Sequence, residues 1–243
     1  HLGVVPLAGL GIASAVLQTI VGLMVFLAYS TTPAVARRFG AGEHAGAVRA
    51  GIDGLWLALA LGVVLAVVGS LATPWLVSLF GADAAVSEQA VIYLQLSMWG
   101  LPAMLIVFAA TGLLRGMQDT VTPLWIAGLG FALNALLDWL FIYGFGWGIA
   151  GSAAGTVVAQ WSMVGAYAFV VGRLARRHEA SLRPQRDGLR GSARAGGWLF
   201  LRTVSLRIAF LATVWVATAL GTDELAGWQV AFTIFSTAAF ALD

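Results

Sequence analysis

Cysteine and lysine are both absent from the 243 residues, and charged residues of any kind make up only 10% of them. Without cysteine there is neither a disulfide framework nor a thiolate metal site. The three histidines, His1, His44 and His178, stand at or near the ends of apolar segments rather than in a cluster, so no metal-ligand or redox pattern is present. A soluble domain carries about 25% charged residues. The deficit here is matched by 60% hydrophobic residues and a mean hydropathy of +0.91, which describe a polytopic membrane chain. All thirteen basic residues are arginine, and seven lie between 173 and 194. The net charge of +2 therefore reports membrane orientation, not nucleic-acid binding.

Hydropathy and turn signals predict seven spans. The first runs from about Leu7 to Val35 and meets Arg37, Arg38 and the turn Gly40 to Gly42. The second covers about Leu55 to Phe80, with a kink expected at Pro74. Asp53 falls in the first turn of that helix, where the helix dipole and the interface suit an acid. A third span, Glu88 to Leu114, is capped by Ser87 and contains Tyr93, Gln95 and Pro102. Thr122 as cap and Pro123 at the first helical position open the fourth, Thr122 to Tyr143. The fifth, Ile149 to Leu174, begins with Gly151, Ser152, Ala153, Ala154 and Gly155, small residues that let a neighbouring helix approach. The sixth, Gly197 to Leu220, carries Arg202 and Arg207, both read as snorkelling to the headgroups, with a polar cavity as the alternative for Arg207. Thr222, Asp223 and Glu224 cap a seventh span that starts at Leu225 and is still running at Asp243.

Arginine-bearing connections alternate with arginine-free ones, so 37–49, 115–121 and 173–194 are expected on the cytoplasmic side of a plasma (inner) membrane. Leu7–Ala13 aligns with Leu225–Ala231, and the same register pairs Thr19 with Thr237. Tandem halves of one orientation are a plan used by secondary transporters. The second copy is preceded by a whole span and the first by six residues, and residue 1 is His rather than Met. A longer chain is expected at both ends. The division is then a first lobe at 1–180 lacking its first span, an inter-lobe linker at 181–194, and the first two spans of a second lobe at 195–243.

Asn134 and Asp138 stand in the middle of the fourth span. A carboxylate near the centre of a spanning helix costs at least about 2.5 kcal/mol on insertion scales, so it marks a functional site by default. Residues four apart share one helix face, and the amide and the carboxyl therefore form a single polar spot. In low dielectric a bare carboxylate is costly, which suits Asp138 to a proton or a sodium ion that comes and goes. The alternative is an interhelical hydrogen-bond pair that only holds the bundle together. Gln18 and Gln160 are also intramembrane polar residues, with nothing in their spacing to separate pore lining from helix contact.

The run LRGMQDTVTPLWIAGLGFALNALLDWLFIYGFGWGIAGSAAGTVVAQ, Leu114 to Gln160, resembles the signature region of multidrug and toxic compound extrusion (MATE) transporters. HLGVVPLAGLGIAS at the start, with LRTVSLRIAF and ELAGWQVAF later, is similar to the DinF-like branch. The resemblance implies an all-α integral membrane protein of two six-helix lobes, of which these residues hold the second through about the eighth span. It carries a proton or cation site onto Tyr93, Asn134, Asp138 and Thr156, with a further acid upstream of His1. Packing against the helix backbone is the competing reading for Thr156, and an interfacial aromatic the one for Tyr93. Trp228 stands where the branch has His, and Arg207 where it has an apolar residue.

The implied activity is export of organic cations, drugs or amphipathic compounds by antiport against protons or sodium, with no cofactor beyond the coupling ion. Asp138 and Asn134 are the candidate ligands for a sodium ion. A monomer in the lipid bilayer is expected. A lipid-linked oligosaccharide flippase of the same superfamily is the competing reading, but it would call for several central arginines. A membrane-embedded enzyme would need paired acids, a His cluster or a nucleophile with its base at membrane depth, and none is visible. A non-transporting scaffold leaves the central acid without a purpose.

Overall fold

A chain in hydrocarbon has to satisfy its backbone N–H and C=O groups within each segment, so the apolar runs form helices. The computed structural model describes residues 3–220 and 222–242, apart from the side chains of 26–29, 195, 211, 214–215, 217–220, 222–226, 229 and 239–242. The helices are α1 (Val4–Met24), α2 (Phe26–Gly40), α3 (His44–Ser78), α4 (Ala84–Met98), α5 (Leu101–Gly116), α6 (Val121–Trp139) with a π-helical turn (Leu140–Gly144), α7 (Gly148–Arg177), α8 (Arg186–Leu220) and α9 (Thr222–Leu242). No strand occurs among the described residues. Four helical segments, α1, α3, α6 with its π turn, and α7, are long and apolar enough to cross a membrane, and the pair α4–α5, bent by 46°, makes a fifth. The two further expected spans fall on α8 and α9. The side chains of Thr222 to Glu224, the expected cap, lie outside the described residues, as do His1 and Asp243.

Several helix ends depart from the expected ones. The first span is two helices, although Val25 at the junction keeps helical dihedrals and its N–H still reaches Val21 O at 3.1 Å. Pro33, inside α2, removes one donor from that ladder. The helix α3 begins at His44, not near Leu55, so the arginine-bearing connection shrinks to 41–43 and Asp53 is buried in the third turn instead of lying in the first. Hydropathy marks where a helix enters lipid, not where it starts. The third span bends at Trp99 and Gly100, ahead of Pro102 at the second position of α5.

Ser87 does not cap that span. The helix α4 starts at Ala84, and the Ser87 hydroxyl donates to Ala82 O at 3.2 Å. Nor is Thr122 the cap of α6: it lies inside the first turn, and Asp119 accepts from its N–H at 2.9 Å and from its hydroxyl at 2.6 Å. The polar segment after α7 is already helical from Arg186, which leaves 178–185 as the connection.

The chain forms two compact units, 1–199 and 200–243, with α8 running through the boundary. In the first unit, α1, α3, α4 and α7 contribute to a core around Ala13, Val77, Leu94 and Met98, and α2, α3, α5 and α7 to another around Val35, Val48 and Leu113. Large outward side chains such as Leu71, Trp75, Leu124, Trp125 and Phe131 stay exposed, as a lipid-facing surface requires. Close approach depends on small residues. A Cβ at Gly62 of α3 would collide with the Pro102 backbone of α5. In the second unit Phe210 packs edge-on against Phe232, and Trp228 stacks on the same ring at 5.1 Å.

Gly62→Val should separate α3 from α5 and destabilise the folded protein by about 1–3 kcal/mol. Thermal unfolding of the complete protein in detergent measures this, and an unchanged midpoint would contradict the packing described.

Candidate functional site

Asn134 and Asp138 lie one turn apart on α6, both half-buried. The Asn134 amide donates to Asp138 Oδ1 at 3.4 Å and to Thr156 Oγ1, on α7, at 3.1 Å. One amide therefore holds the carboxyl and ties the two helices together. That geometry requires α7 to come in close, and Gly155 provides it: its Cα packs directly on the Asp138 backbone and carboxyl, where any Cβ would collide. Just past Asp138 the helix widens into the π turn Leu140–Gly144, closed by Phe145 N–H to Leu140 O at 3.0 Å. Wide turns of this kind interrupt the regular ladder and recur at functional sites. Phe141, Phe145 and Trp147 pack together beside it.

Tyr93 reaches the same place from α4. It is buried in the core around Leu94 and Met98. Its phenol lies among the hydroxyls of Ser97, Thr156 and Ser152. All four residues singled out in the sequence thus meet, from α4, α6 and α7. Ser97 was not foreseen, although it shares a face with Tyr93, four residues on. Ser152 and Gly155, expected only as small residues that let a helix approach, also border the site, Ser152 standing four residues before Thr156.

Beside Thr156 and Tyr93 opens a largely apolar cavity of about 190 Å³, lined also by Gln18 and Val21 of α1, Leu101 and Met104 of α5, and Gln160 of α7. Both glutamines therefore face one space. Gln160 Nε2 contacts Met104 Sδ at 3.9 Å, and its Oε1 is buried over Gly100 without a hydrogen-bond partner. Tyr167 lines a different space, and its phenol shares a 2.9 Å hydrogen bond with Thr111. His44 and His178, far apart in sequence, come together with ring centroids 5.6 Å apart. No group of three or more His, Cys, Asp or Glu that could hold a metal ion occurs among the described residues.

Residues 1–140 match the MatE family model. The chain belongs to the MatE family. It is 31% identical to Protein DETOXIFICATION 44, chloroplastic, of Arabidopsis thaliana, over 78% of this chain and 36% of that one. To the DNA damage-inducible protein F of Escherichia coli (strain K12) it is 27% identical, over 98% of this chain and 53% of the relative. A solved structure titled as MATE in the bent conformation superposes with a TM-score of 0.84 at 28% identity, covering 96% of this chain and 53% of that chain. This MatE chain therefore spans about half or less of the length of these proteins, and its fold is that of an integral membrane helical bundle.

Replacing Thr156 by Val removes the acceptor for Asn134 while keeping the shape, which should cost about 1 kcal/mol of stability, whereas Ser should retain it. Thermal unfolding of the complete protein compares the two. Equal midpoints for wild type and the Val variant would remove the cross-helix bond from the account.

Proposed function

We propose that the complete MatE-family protein is a secondary active transporter that exports organic cations or amphipathic drugs by antiport against protons or sodium. The observation that carries this reading is the cluster in which Asn134 bridges Asp138 and Thr156 beside Tyr93, opening on the cavity lined by Gln18 and Gln160. An acid at that depth is costly unless it serves an ion, and its neighbours offer an amide and hydroxyls, the ligand types that suit a proton or a bare sodium ion. The names of relatives support the substrate class, since several are called multidrug resistance proteins.

In this mechanism a proton or sodium ion entering at Asp138 neutralises the carboxyl. The Asn134 amide is then freed to favour Thr156, which changes how α6 and α7 hold each other. A cationic substrate is held less tightly in that state, and only this difference in affinity couples the two movements. The two lobes would be built on 1–180 and on the part beginning at 195, alternating between inward and outward openings. The protein would sit as a monomer in the plasma (inner) membrane, with the arginine-bearing ends at 37–49, 115–121 and 173–194 facing the cytoplasm. The side chains of Arg207, exposed on α8, and Trp228, stacked on Phe232, belong to the start of the second lobe in this scheme.

Asp138→Asn in the complete protein should abolish ion-driven export while leaving membrane insertion intact. The measurement is substrate uptake into inverted vesicles under an imposed pH gradient or an imposed sodium gradient, which also identifies the ion. Coupled transport at the wild-type rate in the variant would refute the assignment.

A further inference from the structure

Asp53 has no part in the site around Asp138, yet it is buried to 4% exposure in a region of α3 that reads as an ordinary helix interior. A buried acid of this kind needs donors. The structure provides one from 132 residues away: Gln185 N–H donates to Asp53 Oδ1 at 2.9 Å. Gln185 immediately precedes the first residue of α8, and its own carbonyl accepts the N–H of Leu189 at 2.9 Å, so it occupies the cap position of that helix. The first N–H groups of a helix have no partner within it, and the dipole there favours a negative charge. A cap is usually supplied by a neighbouring side chain in sequence; here a carboxylate on another helix is in that place.

Two further contacts show that the chain is seated on α3, not merely near it. One turn after Asp53, the Trp56 indole N–H donates to Leu182 O at 3.0 Å. Gly188, in the first turn of α8, packs its Cα on the Asp53 carboxylate, where a Cβ would collide with Oδ2. Across Leu182, Ser181 Oγ accepts from the Arg183 N–H at 3.2 Å, which shapes the turn that leads to Gln185.

We propose that Asp53 clamps the connection after α7 by capping the start of α8, so that residues 182 to 188 move as part of the first unit. The seven arginines between 173 and 194 read as a solvated linker, but the clamp makes the part that reaches α8 an ordered strap.

Hydrogen exchange by mass spectrometry on the complete protein in lipid nanodiscs tests the clamp without any transport measurement. Peptides covering 183–190 should exchange slowly in the wild type. Asp53→Ala should raise their exchange on the order of tenfold, with peptides from α6 and α7 unchanged, and Asp53→Asn, which keeps an acceptor, should lie between. Gly188→Ala should repeat the effect from the other side of the contact. Exchange at 183–190 as fast as in an unstructured peptide in the wild type would overturn the proposal. So would unchanged exchange there in Asp53→Asn and Gly188→Ala, the two variants that carry the test should Asp53→Ala fail to fold. Uniformly faster exchange across all helices would overturn it as well, since that marks general destabilisation.

Discussion

The 3.1 Å hydrogen bond from Asn134 to Thr156 is the contact on which the rest of the polar arrangement depends. An amide and a carboxyl at membrane depth can be kept only where protein, not lipid, surrounds them. That condition sets the spacing of α6 and α7, and the spacing in turn demands Gly155, whose missing side chain is the room the Asp138 carboxyl occupies. It also recruits α4, because Tyr93 and Ser97 complete the polar lining on the open side. A chemical requirement of one side chain thus fixes three helices. The apolar cores follow that frame, with Tyr93 itself packed among Leu94, Met98, Ile149 and Ala153.

The bend between α4 and α5 has a related physical origin. Pro102 has no N–H to give to the ladder, and Gly100 leaves space that the Gln160 side chain fills. At the break Gly100 and Leu101 line the cavity, and the Trp161 indole N–H donates to Trp99 O at 3.1 Å, so the irregular backbone finds partners within protein, the condition under which it is tolerated in a membrane bundle. A span that ran straight through Trp99 and Gly100 would close this space. The 46° break therefore shapes the wall that carries Leu101 and Met104.

How much of this could be read from the residues varies with the range of the interaction. Asn134 and Asp138 were legible because period 3.6 puts them on one face and lipid makes them conspicuous. Thr156 and Tyr93 came from the family resemblance, and the structure brings both to the same spot. Helix starts were less legible, since His44 and Arg186 begin their helices in polar sequence where hydropathy carries no signal. The cap of α6 shows the limit at short range: Thr122 and Asp119 compete for the role, and only geometry decides that the acid accepts from the threonine. Contacts between distant segments were not legible at all. The approach of His44 to His178, the shared cavity of Gln18 and Gln160, and the Asp53 contact with Gln185 all depend on how helices pack, not on any local pattern.

Three acids of the first unit can be compared by what they accept. Asp119 takes the backbone N–H and hydroxyl of Thr122 at the start of α6, and Asp53 takes the backbone N–H of Gln185 at the start of α8. Both carboxylates answer donors that a helix leaves open at its first turn, and both have a structural use that does not require a change of charge. Asp138 stands in the last turn of α6, where the helix runs on into the π turn and the N–H of Leu140 is already bonded to Leu136 O and Leu137 O. Its hydrogen bond is to a side-chain amide at 3.4 Å, and that amide is closer to Thr156. A carboxyl held this loosely, in a place where its charge is costly, gains most from an external cation. Under the proposed function, what separates Asp138 from the two capping acids is which backbone donors are within reach, not the residue type.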